Sequence, residues 1–181
     1  MGEVKLVVLD RDGTINRDSA AYIKSPEEWM ALPGSAEAIA GLNRAGFTVA
    51  VASNQSGIAR GLLDEATLAK IHDKMHAAVH AAGGEIDLIV WCPHHPDDGC
   101  HCRKPRPGLL HRLAEHYGID LEGVPVIGDS ARDLEAARAV GARPVLVRTG
   151  NGRRTEAEGA AGDAEVYDDL AAAAAALTGE R

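Results

Sequence analysis

Two carboxylates stand two residues apart where an apolar stretch near the start of the chain ends. Asp10 and Asp12 follow the run Val4–Leu9, which predicts a buried parallel strand. Ligands of open α/β sheets bind just past the carboxyl ends of strands, and acids there are costly unless they hold a cation or do chemistry. Asp10 can therefore serve as nucleophile and metal ligand, and Asp12 as general acid/base; an ordinary strand-to-turn junction is the alternative. The side chain of Arg11, between them, is expected to point to the opposite side.

A third acid follows another predicted strand in the same way. Asp129 comes directly after Val126 and Ile127. If the two strands are neighbours, Asp10 and Asp129 face each other across one cleft and form an oxygen-rich site suited to Mg²⁺. Asp133, four residues further on, can be a metal contact, an anchor for a lysine or a helix-terminal charge, and the sequence leaves this open.

A short loop carries four potential zinc ligands with the pattern C-x-H-x5-C-x-C, namely Cys92, His94, Cys100 and Cys102. Three thiolates and one imidazole satisfy a tetrahedral structural zinc site. Residues 95–99 have almost no apolar content, so zinc would replace a missing core in this loop. Free buried cysteines or a redox pair are the alternatives.

Two further segments have the chemistry to bind phosphate. Residues 53–61 supply a hydroxyl and backbone amides in a glycine-containing turn, which suits phosphate oxygens. Arg103 and Lys104 follow the last thiolate of the zinc loop, so bound zinc would fix the start of the segment that carries them. It would thereby orient the forked guanidinium of Arg103 and the compact ammonium charge of Lys104. Ordinary polar turns and a solvated basic loop are the alternative interpretations.

Strand and helix patterns alternate along the chain. Strands are predicted over 4–9, 48–52, 88–92, 124–127 and 144–147, and helices begin near Ser35, at Asp64, near Leu109 and at Ala131. This alternation predicts an α/β fold with an open parallel sheet of about five or more strands, helices on both faces and a Rossmann-like arrangement. Residues 151–164 are expected to form a polar loop, followed by a short helix through the alanines at 171–176, capped by Asp168 or Asp169.

Length and composition predict one globular domain over 1–181, with the zinc loop at 92–102 and a C-terminal loop and short helix over 150–181. The net charge of −8 argues against nucleic-acid binding. The sequence shows no uncharged apolar stretch long enough for a transmembrane helix and no signal-peptide pattern. We therefore expect a cytoplasmic protein without membrane contact. No extended apolar interface is indicated, and a monomer is expected.

The chemical segments, in this order, resemble the four motifs of the haloacid dehalogenase superfamily of phosphohydrolases. These are DxDGT at 10–14, a hydroxyl after the second strand, a lysine further on and GDxxxD at 128–133. Within this superfamily, three segments look like those of the heptose bisphosphate 7-phosphatases, which make a lipopolysaccharide core precursor. They are SNQSGIARG at 53–61, CRKP at 102–105 and residues 21–29. Histidinol-phosphate phosphatases share DRDGT and CRKP. After the second strand, however, they resemble the pattern NQDG rather than the NQSG found here, so Ser56 favours the heptose enzymes. A non-catalytic zinc-stabilised phosphate-binding module is the alternative from another class.

The resemblance implies a Mg²⁺-dependent phosphatase that acts on a small sugar bisphosphate through an aspartyl-phosphate on Asp10. Ser53 and Lys104 would hold the transferring phosphoryl oxygens. Mg²⁺ would be held by Asp10, the backbone carbonyl of Asp12, and Asp129, and structural Zn²⁺ by the Cys/His loop. The implied substrate contacts are Asp18, Ser19, Ala20, Ala21, Asn54, Gln55, Ser56 and Arg103. Only about 33 residues separate Thr14 from Thr48, so no separate cap domain fits, and residues 16–30, 53–62 and the zinc loop must form the pocket wall.

Overall fold

The computed structural model describes residues 2–180; Met1 and Arg181, which the predicted domain over 1–181 includes, lie outside the described residues. The strands are β1 (Leu6–Leu9), β2 (Thr48–Asn54), β3 (Leu88–Cys92), β4 (Pro125–Gly128), β5 (Arg143–Val147) and β6 (Glu165–Tyr167). The helices are α1 (Ser35–Arg44), α2 (Glu65–Ala81), α3 (Gly108–Tyr117), α4 (Ala131–Ala139), α5 (Gly152–Ala157) and α6 (Leu170–Thr178). Short 3₁₀ turns lie at Pro26–Glu28 and Pro96–Asp98.

The six strands form one parallel sheet in the order β3-β2-β1-β4-β5-β6. The predicted parallel α/β sheet is therefore confirmed. From β1 the chain proceeds outward through β2 to β3, and from β4 it proceeds in the other direction to β6. The carboxyl ends of β1 and β4 consequently lie side by side at the switch point, which is where open sheets of this kind place their ligands.

Helices cover both faces of the sheet, as predicted, and each face has its own core. On one face α2 presents Leu68, Ile71, Met75 and Val79, which are spaced by three or four residues and fully buried. On the other face α3 buries its leucines against β2 and β3. Each fully buried aliphatic side chain contributes about 1.5–3 kcal/mol, so the two cores hold the strand ends rigidly in place.

Two aspartates cap helices as the sequence indicates. The Asp64 carboxylate accepts a 2.7 Å hydrogen bond from the Thr67 amide at the start of α2. Asp169 accepts a 2.8 Å bond from the Ala172 amide at the start of α6, so of the two candidates Asp169 is the cap. Asp168 instead pairs with Arg148 at 2.8 Å.

The expected polar loop over 151–164 is wrong, because the structure has α5 at Gly152–Ala157 and β6 begins at Glu165. Helix α5 lacks an apolar stripe and is held by tertiary bonds. The Thr155 hydroxyl donates to the Asp129 carbonyl at 2.9 Å, and Arg148 pairs with Glu156 at 2.8 Å. Such contacts override weak local signals.

The segment between β1 and α1 contains a 3₁₀ turn and isolated bridges, and within residues 2–180 no cap domain is inserted there. Among the helices of this same range, none has the length and apolar character needed to cross a membrane.

Candidate active site

Three carboxylates meet where β1 and β4 end. The Asp10 amide donates to the Ile127 carbonyl at 2.9 Å, so the last peptide of β1 is tied to β4. Carboxylate oxygens of Asp10, Asp129 and Asp133 all lie within 4.8 Å of one another. The structure thus brings together the two acids that the sequence places at neighbouring strand ends, and it adds Asp133 from the first turn of α4.

The buried ammonium of Lys104 lies inside this acidic cluster. Its Nζ donates to Asp10 Oδ1 at 2.9 Å, to Asp133 Oδ1 at 2.6 Å and to the Ala52 carbonyl at 2.8 Å. All three ammonium hydrogens are therefore used. The second oxygen of Asp133 accepts from the amide and hydroxyl of Ser130, at 3.1 and 2.8 Å. Asp133 thus anchors Lys104 and closes the first turn of α4.

Burial and mutual repulsion change the protonation of these acids. Desolvation raises the pKa of Asp10 well above its usual range, and the Asp133 charge raises it further. The same two causes raise the pKa of Asp129 to about 7. Burial acts to lower the pKa of Lys104, but Asp10 and Asp133 raise it overall, so the ammonium stays charged. One cation faces three carboxylates here, an imbalance that a divalent cation with oxygen ligands would correct.

Asp12 lies next to this cluster and is held by nitrogen donors. Its Oδ1 accepts from Arg11 Nε and Asn16 Nδ2, each at 2.9 Å, and its Oδ2 accepts from Gln55 Nε2 at 3.2 Å. Burial acts to raise the pKa of Asp12, but the Arg11 charge and these hydrogen bonds lower it overall. The carboxylate still lines the cleft, so it is both fixed and accessible.

The expected orientation of Arg11, away from both acids, is wrong. The chain turns directly after Asp10, and the Arg11 carbonyl accepts from the Ile15 amide at 2.9 Å. The alternation of an extended strand therefore does not continue through this segment. The Arg11 side chain folds onto the Asp12 carboxylate instead.

An open cleft above the acids is lined by residues from two of the three segments expected to form its wall, 16–30 and 53–62. The zinc loop itself does not line it, and Arg103 and Lys104, which directly follow that loop, do. The lining residues among the expected substrate contacts are Asp18, Ser19, Ala20, Asn54, Gln55, Ser56 and Arg103. Ala21 stands outside this lining: its amide donates to Ser19 Oγ at 3.1 Å and its carbonyl accepts from Lys24 Nζ at 3.0 Å, so its backbone is used within the loop. Ser53 lies buried beneath, with its hydroxyl accepting from Gln55 Nε2 at 2.7 Å.

The cleft also contains Tyr22 and Ile23, from the expected wall segment 16–30, and three residues that the sequence interpretation did not place there, namely Ser130, Arg132 and Asn151. Asn151 has the most contacts with the acids. Its amide donates to Asp129 Oδ2 at 2.8 Å, and its side-chain Nδ2 donates to Asp18 Oδ2 at 3.0 Å. The signal that could have found it is its position shortly after β5, at the same edge of the sheet as the acids.

Two glycines enclose the Asp129 carboxylate. A Cβ at Gly13 or at Gly150 would collide with Asp129 Oδ2, and both residues have positive φ angles, 83° and 55°. Only glycine permits this conformation and this close approach together. The backbone therefore packs directly against the acid and fixes its orientation.

The four candidate zinc ligands converge beside the cleft. Cys92 Sγ lies 3.4 Å from His94 Nδ1 and 3.6 Å from Cys100 Sγ, and His94 Nδ1 lies 3.2 Å from Cys102 Sγ. Zn–S bonds of about 2.3 Å and a Zn–N bond of about 2.0–2.1 Å in a tetrahedron place neighbouring ligand atoms about 3.6–3.8 Å apart, so the cluster fits zinc. The 3.6 Å separation between Cys92 and Cys100 is too long for a disulfide, and all three cysteines are free.

The segment that directly follows the zinc loop is joined to the end of β2 through Asn54. The Asn54 side chain accepts from the Lys104 amide at 3.0 Å and donates to the Lys104 carbonyl at 3.1 Å. This reciprocal pair fixes the backbone that carries the buried ammonium. Asn54 therefore has a positioning contact as well as a place in the cleft wall.

The strand order and the acid–lysine cluster at the switch point define a hydrolase of the haloacid dehalogenase type. The family described as HAD-hydrolase-like matches residues 101–173. Among solved structures, the D,D-heptose 1,7-bisphosphate phosphatase of Bordetella bronchiseptica, complexed with magnesium and phosphate, superposes with a TM-score of 0.95 at 56% identity, covering 98% of this chain and 100% of that one.

Relatives with assigned names narrow this class. The D-glycero-beta-D-manno-heptose-1,7-bisphosphate 7-phosphatase of Bordetella bronchiseptica is 57% identical over 178 residues, covering 98% of this chain and 99% of the relative. The enzyme of the same name from Pseudomonas putida is 59% identical over 174 residues, covering 96% and 99%. The chain belongs to the family of D-glycero-beta-D-manno-heptose-1,7-bisphosphate 7-phosphatases.

Proposed function

We propose that this protein is a Mg²⁺-dependent phosphatase that removes the 7-phosphate of D-glycero-β-D-manno-heptose 1,7-bisphosphate. The observation that carries this is the 57% identity with an enzyme of that name over 98% of the chain. The buried acid–lysine cluster supplies the chemistry that such a reaction needs. The names of the relatives favour the β anomer, which no residue of the sequence selects by itself.

In the first half of the reaction, a carboxylate oxygen of Asp10 attacks the 7-phosphorus. The bond between phosphorus and the sugar oxygen breaks, and Asp12 donates a proton to the departing oxygen. Lys104 holds one oxygen of Asp10 at 2.9 Å, which fixes the direction of the carboxylate. Phosphoryl transfer depends on such in-line positioning and on charge neutralisation.

In the second half, water attacks the phosphorus of the aspartyl-phosphate and Asp12 takes up its proton. The bond between phosphorus and the Asp10 oxygen breaks, inorganic phosphate leaves and the carboxylate is restored. Asp12 is ionised once it has given up its proton in the first half, and the Arg11 charge, which lowers its pKa despite its burial, stabilises that ionised form. Ser53 and Lys104 are proposed to hold the phosphoryl oxygens through both halves, Lys104 by sharing with them the hydrogen that it donates to Asp10.

Asp10, Asp129 and the backbone carbonyl of Asp12 are the proposed magnesium ligands. The excess of carboxylates over cations in this buried cluster fits a divalent ion with oxygen ligands. When bound, Mg²⁺ neutralises the charge of the phosphoryl group and of the carboxylates. Asp133 is proposed to act through Lys104, since both of its oxygens already accept hydrogen bonds.

Cys92, His94, Cys100 and Cys102 are the proposed ligands of a structural zinc ion. Their separations and the donor set of three sulfurs and one imidazole fit a closed tetrahedral site. Zinc would stabilise the loop that continues into Arg103 and Lys104. It is not part of the reaction.

The substrate is proposed to contact the cleft wall. Arg103 is the best-supported contact, because its Nη1 is buried without a hydrogen-bond partner among the described residues. The further proposed contacts are Asp18, Ser19, Ala20, Ala21, Asn54, Gln55 and Ser56, with Ala21 acting through the loop that it shapes. We further propose a single domain, a monomer and a cytoplasmic location, where a reducing environment keeps the three thiols available for zinc.

The test is the release of inorganic phosphate with Mg²⁺ from three substrates, compared by kcat/KM. The substrates are the β and α anomers of the heptose bisphosphate and histidinol phosphate. We expect at least about a hundredfold preference for the β anomer over histidinol phosphate, because a site built to hydrogen-bond a substrate can discriminate by up to about 10⁴–10⁵-fold. A preference for histidinol phosphate would refute the proposal.

A further inference from the structure

The guanidinium of Arg11 is completely buried, which is unusual for an arginine, and every edge of it is engaged. Nε and Nη2 face the Asp12 carboxylate, with Nε 2.9 Å from Oδ1 and Nη2 3.2 Å from Oδ2. Nη2 also donates to Gln55 Oε1 at 3.3 Å. The remaining nitrogen, Nη1, lies 3.2 Å from Nε2 of His72 on α2.

This contact fixes the protonation of His72. A guanidinium has only donors, so His72 Nε2 must be the acceptor and the imidazole must be neutral. Burial and the neighbouring Arg11 charge lower the pKa of His72 to about 3, in agreement with the geometry. The ring of Trp91 packs against the imidazole edge, with ring centroids 5.8 Å apart, so the acceptor cannot easily rotate away.

The contacts of Arg11 have a fixed direction. An arginine presents its donors in a rigid plane, so holding Nη1 on His72 aims the opposite edge at Asp12. Without the acceptor of His72, Nη1 would be a buried donor without a partner, at a cost of about 1–3 kcal/mol, and the guanidinium would turn to find another one. The Asp12 carboxylate would lose its fixed direction with it.

We propose that Arg11 and His72 are positioning residues, which orient the Asp12 carboxylate so that its proton reaches the leaving oxygen of the substrate. The inference rests on the proposed function of Asp12 as general acid. His72 acts through Arg11 and touches neither substrate nor metal ligand in this account.

The test compares two leaving groups in the variant His72→Leu, which keeps most of the side-chain volume but removes the acceptor. A sugar alkoxide needs a proton to leave, whereas p-nitrophenolate leaves without one. The ratio kcat/KM reports the steps up to bond cleavage, so the later role of Asp12 as a base does not enter. We expect kcat/KM to fall about tenfold or more for the heptose bisphosphate and less than twofold for p-nitrophenyl phosphate. The tenfold loss is a part of the rate enhancement of about 10²–10⁴ that a general acid supplies.

Three further variants control this experiment. His72→Gln offers an acceptor oxygen near the position of Nε2 and should restore most of the activity with the sugar substrate. His76→Leu, one turn further along α2, should leave the ratio of the two substrates unchanged. If His72→Leu does not fold, Arg11→Lys gives the same test, because one ammonium cannot span both oxygens of Asp12 and reach His72.

Equal losses with both substrates, or no loss with either, would overturn the inference, since a purely structural residue affects every leaving group alike. A wild-type protein that ignores the heptose bisphosphate would instead contradict the proposed function. In that case the same comparison, made with whichever alkyl phosphate the wild type hydrolyses best, still decides the role of Arg11 and His72.

Discussion

Replacing Lys104 with methionine removes the only ammonium group that contacts Asp10 and Asp133 among the described residues, at nearly constant volume. The side chain is 5% exposed, so solvent cannot compensate for its loss. Two charge-assisted hydrogen bonds disappear, at 2.9 and 2.6 Å, and the carboxylates keep their repulsion. Removing one partner of a buried ion pair costs about 3–5 kcal/mol, and we expect the free energy of unfolding in urea, without metal at pH 8, to fall by that amount.

Two further measurements show whether charge is the cause of this loss. Mg²⁺ should raise the melting temperature of Lys104→Met more than that of the wild type, because the ion supplies the missing positive charge. The double variant Lys104→Met/Asp133→Asn should recover at least half of the lost stability, since one of the unpaired acids is removed with the lysine. Lys70→Met, an exposed lysine on α2, is the matched control and should change stability little.

The same variant tests the role of Lys104 in catalysis. Removing one preorganised donor from a developing charge costs about 10²–10³ in rate, so kcat should fall by that factor at saturating Mg²⁺. A loss of stability below about 1 kcal/mol, together with no recovery in the double variant, would refute the electrostatic reasoning about this cluster.

Two other perturbations have definite outcomes. The metal-free wild type should lose stability as the pH rises from about 4 to about 7, because Asp129 has its pKa raised to about 7 in the folded protein and therefore binds more protons there than in the unfolded chain. In urea titrations across this range, Asp129→Asn should flatten the slope, and an unchanged slope would contradict the assignment. Stripping zinc with a chelator, followed by return to Mg²⁺, should lower both the melting temperature and kcat/KM, and added Zn²⁺ should restore them. A chelated protein with full activity and an unchanged melting temperature would show that the loop does not need zinc.

The sequence predicts the sheet well because its strands are buried on both faces and read as apolar runs. β3 is predicted with the bounds Leu88–Cys92 that the structure has, and Asp64 caps α2 as expected. Helix α5 and strand β6 could not be predicted in this way. Helix α5 depends on the bond from Thr155 to the Asp129 carbonyl, and β6 is a three-residue edge strand, so tertiary contacts rather than local patterns determine both.

In the candidate site, too, some features follow from local sequence patterns and others depend on tertiary contacts. Acids at the ends of predicted strands can be identified because strand ends meet at one edge of a parallel sheet. Arg11 could not be oriented from the sequence, because the chain turns where strand alternation would place its side chain on the other side. His72 could not be connected to the site from the sequence either. It lies on α2, 61 residues after Arg11 in the chain, and only the fold brings the two side chains together.

The most direct test of the account follows the reaction of the β anomer of the heptose bisphosphate by ³¹P NMR in the presence of Mg²⁺. The signals of the 1-phosphate and the 7-phosphate are distinct, so the experiment shows which of the two is lost. We expect the 7-phosphate signal to convert to inorganic phosphate while the 1-phosphate signal persists, and we expect no conversion with Asp10→Asn. Loss of the 1-phosphate, or unchanged turnover in Asp10→Asn, would contradict the account.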